Sequence, residues 1–125
     1  MNIVDLVQSQ VIASVKKEED IEKAALSRAN IVFLLTGDLL NTSDYLEQLR
    51  KAGKHIFIHM DFIEGLSNAR SAVKFIAQKW KPTGIITTKH SLIKYAKDEK
   101  LMTIQRIFLI DKSAVQKGID TSKTC

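Results

Sequence analysis

Short apolar runs alternate with longer amphipathic stretches along most of the chain, and this alternation predicts repeated strand–helix units. The apolar runs predict strands over 10–15, 31–35, 55–60, 84–88 and 102–110. The stretches between them predict helices over 18–29, 42–53, 68–80 and 90–100, with a short fifth helix over 112–119. Because the strands are continuously apolar and the loops are short, we expect a parallel sheet covered by helices.

Two architectures accommodate about five such units, which we expect to form a single domain over 1–125. One is an α/β, TIM-barrel-like repeat, of which the chain supplies about five of the eight units in a complete barrel. The other is an open, flavodoxin-like parallel sheet. The periodicity alone does not distinguish them. In both architectures, ligands bind at the carboxyl ends of the strands.

The composition is typical of a globular protein, with 45% apolar and 26% charged residues. No apolar run approaches the ~18 residues of a membrane span, and the amino terminus lacks the pattern of a signal peptide. The single cysteine, Cys125, has no partner for an internal disulfide. We therefore expect a cytoplasmic protein with no membrane partner. The net charge of +5 favours RNA or phosphates as partners, although solvated lysines alone produce the same excess.

The third predicted strand carries two polar side chains on one face. In the stretch HIFIHMDFIEGL, which covers 55–66, Phe57, His59 and Asp61 share a face by strand periodicity. The alternate positions are aliphatic or Met, so that face is expected to pack against the helices. His59 and Asp61 are then expected to face a barrel lumen or a ligand crevice. Two structural alternatives are a hydrogen bond between the two side chains and a turn capped by Asp61.

Polar residues follow each of the five predicted strands and are expected to converge at one edge of the sheet. In strand order these residues are Ser14, Lys16 and Lys17; Thr36, Gly37 and Asp38; His59, Asp61, Glu64 and Gly65; Thr87, Thr88 and Lys89; and Gln105, Arg106 and Asp111. Residues at this edge also cap helices, and Ser91 is expected to be such a cap. The helix start at 88–91 also presents backbone N–H groups that suit an anion.

Arg106 lies within the apolar run TIQRIFLI, which predicts a buried charge. An unpaired buried charge costs several kcal/mol, so an anionic partner is expected. That partner is either a carboxylate of Asp38, Asp61 or Glu64, or a bound phosphate, which a guanidinium grips with two hydrogen bonds. Gln105 should point to the opposite face, so both residues line one site only if the strand twists or bulges there.

The sequence contains none of the common nucleotide-binding or hydrolase motifs. Neither G-x-x-x-x-G-K-[ST] nor G-x-G-x-x-G occurs, and no His pair has the spacing of a helical zinc site. No cofactor and no metal are expected. A small α/β enzyme acting on a phosphorylated polyol or sugar, with His59 or Asp61 as base, remains an alternative function. A flavodoxin-like signalling module that binds Mg²⁺ at Asp38 or Asp61 is a third.

Six stretches together resemble one family in order and register, from about residue 8 to residue 119. They are VIASVKKEEDIEKA, IVFLLTGD, GKHIFIHMDFIEGLS, AVKFIA, GIITTKHSLIKYAK and TIQRIFLID. These stretches closely resemble the glycerol-3-phosphate-responsive antiterminators, the glycerol uptake operon antiterminator regulatory proteins of bacteria. The resemblance implies a TIM-barrel-like fold and a regulator that is not an enzyme. It also implies two partners, the effector glycerol 3-phosphate and the leader mRNA of glycerol uptake and catabolism genes.

The same resemblance implies a set of ligand-binding candidates at the strand ends. They are Asp38, His59, Asp61, Glu64, Thr88, Lys89, Gln105, Arg106 and Asp111. Members of the family continue for roughly three more strand–helix units, so the chain is expected to be truncated at its carboxyl end. The first and fifth strands are then expected to expose sheet edges, through which the protein would self-associate.

Overall fold

The computed structural model describes residues 11–106, and these form a parallel sheet of five strands connected by helices. The strands are β1 (Ile12–Val15), β2 (Ile31–Leu34), β3 (His55–His59), β4 (Gly84–Thr87) and β5 (Met102–Gln105). The helices are α1 (Asp20–Leu26), α2 (Thr42–Lys51), α3 (Arg70–Phe75) and α4 (His90–Asp98). A 3₁₀ turn (Met60–Phe62) follows β3, and α3 continues as a π-helical turn (Ile76–Trp80). The predicted fifth helix and the end of the fifth predicted strand lie outside the described residues.

Within residues 11–106, the predicted strands and helices are confirmed in type and order, and their ends differ by a few residues. Helix α1 ends before Ser27, whose hydroxyl donates a hydrogen bond of 2.8 Å to the carbonyl of Ala24. Gly53 follows α2 with a φ of +78°, the left-handed conformation that glycine adopts at helix ends. The third strand ends at His59 rather than Met60, because the chain turns into the 3₁₀ segment there.

The order of the strands distinguishes between the two predicted architectures. The order is β1-β2-β3-β4-β5, so each strand pairs with the next one along the chain. A flavodoxin-like sheet has the order 2-1-3-4-5 and carries helices on both faces. Here all four helices contribute to one apolar cluster on a single face of the sheet. The described residues therefore form five strands and four helices of a TIM-barrel-like fold, and the flavodoxin-like alternative is wrong.

The main core lies between this face of the sheet and the helices. Ile56, Ile58 and Met60 belong to it, as strand periodicity predicted. Ile21, Leu46, Val73 and Leu92 represent the four helices in the same cluster. Trp80, at the end of the π-helical turn, is buried in the same cluster. Burying a Val, Leu, Ile or Met side chain contributes about 1.5–3 kcal/mol, so the cluster fixes the helices against the sheet.

A second, smaller cluster covers the opposite face, which a barrel encloses. Ile31, Phe57 and Ile86 are its buried members. The rings of Phe33 and Phe57 meet edge to face, with centroids 5.8 Å apart. Gly84 lies in register with Phe57 on β3 and Met102 on β5. A Cβ atom at Gly84 would overlap the carbonyl of Met102 and lie 2.7 Å from Phe57 Cε2, so glycine permits this close packing.

In the part of the chain that the structure describes, no helix is long and apolar enough to cross a membrane.

Candidate functional site

A cavity of about 700 Å³ lies on the inner face of the sheet, at the carboxyl ends of the strands. All five strands or the residues just after them contribute to its walls. The lining residues are Ser14, Lys16, Phe33, Leu35, His59, Phe62, Ile86, Ile104, Gln105 and Arg106. Its floor is apolar because Phe33, Ile86 and Ile104 belong to the inner-face cluster. The predicted convergence of strand ends therefore produces a concave site with an apolar base and a polar rim.

Among residues 11–106, the charged residues that line this cavity are all cations. Lys16 and Arg106 line it, and its lining residues include no Asp or Glu. Within residues 11–106, the ion pairs involve other side chains, so neither cation is neutralised by a carboxylate of the described chain. A concave site with excess positive charge and low-dielectric walls concentrates anions. The cavity therefore has the electrostatic character of an anion-binding site.

His59 is buried at the wall of the cavity, with 2% of its surface exposed. Burial lowers the pKa of this imidazole below its ordinary value of 6.5; nearby Asp61 opposes the shift and the charge of Arg106 adds to it. The ring is therefore neutral at neutral pH. Its Nε2 lies 3.4 Å from Nη1 of Arg106. A guanidinium only donates hydrogen bonds, so Nε2 is the acceptor and Nδ1 carries the proton.

The other ring nitrogen of His59 has no such contact. Nδ1 is buried and has no hydrogen-bond partner among the described residues. A buried donor without a partner costs about 1–3 kcal/mol. His59 is thus a buried polar side chain at the wall of the cavity, with one ring nitrogen in contact with Arg106.

Phe62 connects His59 with Arg106. Its ring meets the imidazole edge to face, with centroids 4.5 Å apart. The guanidinium carbon of Arg106 lies 5.7 Å from the centre of the same ring. Phe62 is 49% exposed, so it stands at the rim rather than in the core. The three side chains form one cluster, which we call the His59–Phe62–Arg106 cluster.

Asp61 binds the loop after β4 rather than His59. Its Oδ1 accepts a hydrogen bond of 2.8 Å from the hydroxyl of Thr87. Its Oδ2 accepts two from Thr88, one of 3.1 Å from the amide and one of 2.6 Å from the hydroxyl. Burial raises the pKa of Asp61, but these hydrogen bonds outweigh that effect and the pKa lies below its ordinary value of 3.8. Both oxygens are engaged, and the expected alternative of a His59–Asp61 hydrogen bond is not formed.

The remaining acidic candidates and Lys89 lie at the same edge but outside the walls of the cavity. Asp38 Oδ1 accepts hydrogen bonds from the amides of Leu40 and Asn41, at 2.8 and 2.9 Å, and so shapes the turn before α2. Glu64 pairs with Asp38 in an isolated parallel bridge. The amide of Lys89 donates to the hydroxyl of Thr87 at 3.2 Å, and its side chain is exposed. Asp111 lies outside the described residues.

The predicted burial of Arg106 was wrong. Strand β5 ends at Gln105, which pairs with Thr87, and Arg106 follows it as an exposed residue. The amide of Arg106 still donates to the carbonyl of Thr87 at 2.8 Å, but its side chain has left the sheet. Because the charge is not buried, it requires no carboxylate. Regular strand geometry stops here, so Gln105 and Arg106 both border the cavity.

The cavity also contains residues that the family resemblance did not supply. Ser14 and Lys16 were among the polar residues at the end of the first strand, and both line it. Strand periodicity places Ile12, Ser14 and Lys16 on one face, and Ile12 packs on the inner cluster. That pattern was a sufficient signal for both. Phe62 carried no such signal, because it follows the strand in an irregular turn.

Within residues 11–106, no group of three or more His, Cys, Asp or Glu side chains is arranged to hold a metal ion.

The chain matches the profile of one protein family over residues 11–125, the glycerol-3-phosphate responsive antiterminators. The chain belongs to this family. It is 35% identical over 106 residues to uncharacterized protein YgcP of Escherichia coli strain K12, covering 85% of this chain and 56% of that protein.

Two solved structures are similar to this fold. One is a glycerol uptake operon antiterminator regulatory protein from Listeria monocytogenes, with a TM-score of 0.77 and 30% identity over 87% of this chain and 59% of that one. The other is a glycerol uptake operon antiterminator-related protein from Thermotoga maritima, with a TM-score of 0.72 and 34% identity over 90% of this chain and 63% of that one. The chain thus spans about three fifths of the length of these relatives. The resemblance seen in the sequence is confirmed at the level of the family and of the TM-barrel-like fold.

Proposed function

We propose that this chain acts in the cytoplasm as part of a transcription antiterminator that binds glycerol 3-phosphate in the inner-face cavity. The observation that carries the proposal is the composition of that cavity. Its described lining residues include two cations without carboxylate partners and no acidic side chain. Phosphate monoesters carry nearly two negative charges at neutral pH and several acceptor oxygens. A site of this charge favours such a ligand over neutral polyols.

The rest of the cavity suits the glycerol portion of the ligand. In this proposal Arg106 and Lys16 bind the phosphate, Arg106 through its fork of N–H donors and Lys16 as a point charge. Ser14 and Gln105 supply groups that hydrogen-bond hydroxyls, and the apolar floor contacts the carbon chain. The cavity volume of about 700 Å³ lies within the usual range for small-molecule sites, about 300–1,000 Å³.

The proposed output is the control of transcription through leader mRNA. The name of the family and that of the Listeria protein describe antiterminators, and the latter is named for the glycerol uptake operon. In this proposal the effector changes the affinity of the protein for leader mRNA of glycerol uptake and catabolism genes, and RNA changes the affinity for the effector by the same factor. The role is regulatory rather than catalytic. An acid–base pair of His59 and Asp61 is disfavoured, because Asp61 is engaged by Thr87 and Thr88.

Self-association through the sheet edges also belongs to the proposal. Within the described residues, β1 and β5 each pair with one neighbour only. An unpaired strand edge is a template for pairing with another chain. Light scattering on the purified protein tests this, and a monomer at every concentration would contradict it.

The effector site is tested by thermal melting of the 125-residue chain with and without glycerol 3-phosphate. Ligand at ten times its Kd should stabilise the folded state by about 1.4 kcal/mol, which corresponds to about 4–6 °C in Tm. The shift should be lost in R106Q and reduced in K16Q. R28Q is the matched control, because Arg28 is also exposed but lies between α1 and β2 and does not line the cavity. A cooperative wild-type transition that glycerol 3-phosphate leaves unmoved would reject the proposed site.

A further inference from the structure

The positive charge of this protein is concentrated in one part of the fold. Residues 70–100 contain eight Lys or Arg side chains and two carboxylates, whereas residues 11–69 contain seven Lys or Arg and nine carboxylates. The excess of +5 over the whole chain therefore reflects a segment that is strongly basic, preceded by one that is slightly acidic. This segment contains α3 and α4.

Helices α3 and α4 pack side by side on the same face of the sheet, so the exposed basic residues of both lie on the outer side of the fold. Arg70, at the start of α3, lies 3.4 Å from Asp98 of α4 and 4.5 Å from the centre of the Tyr95 ring. Six exposed lysines define what we call the α3–α4 basic surface: Lys74, Lys79, Lys81, Lys94, Lys97 and Lys100. None of the six forms an ion pair with a described residue. Cations are favoured near helix carboxyl ends, which accounts for Lys74 and Lys97 in the last turns of α3 and α4 but not for Lys94, which lies earlier in α4.

Each of the two helices also carries an aromatic ring, of which that of Phe75 borders a groove beside Leu39 and Gly65. Phe75 is 41% exposed and packs edge to face on Trp80, with ring centroids 5.2 Å apart. Tyr95 is half-buried beneath the guanidinium of Arg70. Surfaces that bind single-stranded nucleic acids follow the phosphate backbone with cations, and the six lysines are the feature of this face that matches them.

We infer that the α3–α4 basic surface binds the phosphate backbone of RNA. This inference rests on the proposed function, which supplies RNA as the partner, and adds the face that contacts it. A lipid surface is less favoured, because a helix that lies in a bilayer interface needs a free apolar face. Here the apolar faces of both helices, including Val73, Ile76, Leu92 and Ala96, are buried in the core.

The inferred RNA surface and the effector cavity lie on opposite faces of the sheet. The helices pack on the outer face, and the cavity opens on the inner one. RNA and glycerol 3-phosphate therefore bind without competing for the same side chains. Variants on the outer face should therefore change RNA binding and leave glycerol 3-phosphate binding unchanged.

The test measures binding of a fluorescein-labelled, single-stranded RNA oligonucleotide of mixed sequence by fluorescence anisotropy, over a series of salt concentrations. The patch variant is K74Q/K94Q/K97Q, and the matched control K17Q/K23Q/K51Q removes the same charge from exposed sites in the region of α1 and α2. Each phosphate contact contributes about 0.7 to the slope of log affinity against log salt for single strands. The patch variant should therefore lose about 2 from the magnitude of that slope, and the control should retain the wild-type slope.

The possible results test the basic surface and the RNA partner separately. Equal losses in the two triple variants would overturn the inferred surface and leave the RNA partner intact. A wild-type chain that binds no RNA, with or without glycerol 3-phosphate, would reject the RNA partner and the surface together. Binding to phosphatidylglycerol vesicles in place of RNA would also overturn the inference. The melting shift with glycerol 3-phosphate is independent of all three results, so a failure of the effector site is recognised separately.

Discussion

The hydroxyl of Thr87 donates a hydrogen bond of 2.8 Å to Oδ1 of Asp61. The same hydroxyl accepts from the amide of Lys89 at 3.2 Å, and the Thr87 carbonyl accepts from the amide of Arg106 at 2.8 Å. Thr87 therefore joins the ends of β3, β4 and β5 and the residue before α4. The arrangement links the wall of the cavity to a helix that carries the basic surface. A physical route between the two proposed sites needs such a contiguous set of contacts.

The first prediction concerns Asp61. D61N should lower the free energy of unfolding by about 1 kcal/mol, because a charged acceptor is lost from three hydrogen bonds at a partly exposed site. The pKa of Asp61 in the folded protein is lowered. The stabilisation that its ionised carboxylate confers is therefore fully present above the ordinary pKa of 3.8 and is lost as the pH falls through the folded pKa. The difference between wild type and D61N in urea denaturation should therefore shrink in acid.

Glu64 provides the control for this prediction, because it is an exposed carboxylate in the same loop. E64Q should leave stability within about 0.5 kcal/mol of wild type. If D61N and E64Q have the same small effect, the hydrogen bonds to Thr87 and Thr88 do not stabilise the fold.

The second prediction concerns the protonation of His59. The pKa of His59 in the folded protein lies below 6.5, the ordinary value that applies in the unfolded chain. Between these two pKa values the unfolded chain binds a proton while the folded imidazole stays neutral. Stability should fall as the pH is lowered from about 7 through this window, and H59Q should remove that part of the dependence. An anion in the cavity favours the charged imidazole, so sulfate should raise the pKa of His59.

Nuclear magnetic resonance titration of the imidazole signals tests this second prediction directly. The exposed His55 and His90 serve as internal references for the effect of sulfate. Two results would contradict the placement of His59 beside an anion site. One is a His59 signal that titrates at or above pH 6.5, and the other is a sulfate-induced shift of His59 no larger than those of His55 and His90.

The third prediction concerns Phe62. F62A should weaken glycerol 3-phosphate binding about two- to fivefold, because an exposed cation–π contact is worth about 0.5–1 kcal/mol. F62Y should restore most of the affinity, since it retains the ring that contacts His59 and Arg106. Isothermal titration calorimetry measures the change. F75A, which removes a similarly exposed ring outside the cavity, should bind the effector as wild type does.

The fourth prediction concerns the spacing of β3, β4 and β5. G84A should cost about 1–3 kcal/mol, because the added methyl group overlaps the backbone of Met102 and the ring of Phe57. G53N is the contrasting variant, since Gly53 has open space around it and Asn tolerates its positive φ. Equilibrium denaturation should show G53N close to wild type. A G84A variant that unfolds at the wild-type midpoint would mean that the strands separate without cost.

Much of this fold follows from periodicities in the sequence. The alternation along 55–60 assigned Ile56 and Ile58 to the helix face, and the structure confirms it. The end of the fifth strand was not predictable in the same way. The apolar run continues to 110, but pairing stops where β4 ends at Thr87, so Arg106 leaves the sheet. A strand ends where its partner ends, and a local pattern contains no information about the partner.

The sequence predicted which edge of the sheet carries the candidate site, but it did not predict which side chains contact each other there. Convergence at the carboxyl ends follows from parallel strands alone. The partners of Asp61 are 26 and 27 residues away, and they meet it only because of the register between β3 and β4. Sequence reasoning therefore considered the neighbouring His59 and missed Thr87 and Thr88 as the groups that hold this carboxylate.

The sequential strand order has a consequence for how the chain folds. Paired strand positions are separated by as few as 18 residues, between Gly84 and Met102, and by no more than 27, between Phe57 and Gly84. Each pairing therefore closes a loop of similar length, and the entropic cost of loop closure differs little from one pairing to the next. Among the strands of residues 11–106, none pairs with a partner made much later. The sheet can grow one unit at a time as the polypeptide leaves the ribosome, so that the order of synthesis is also the order of assembly.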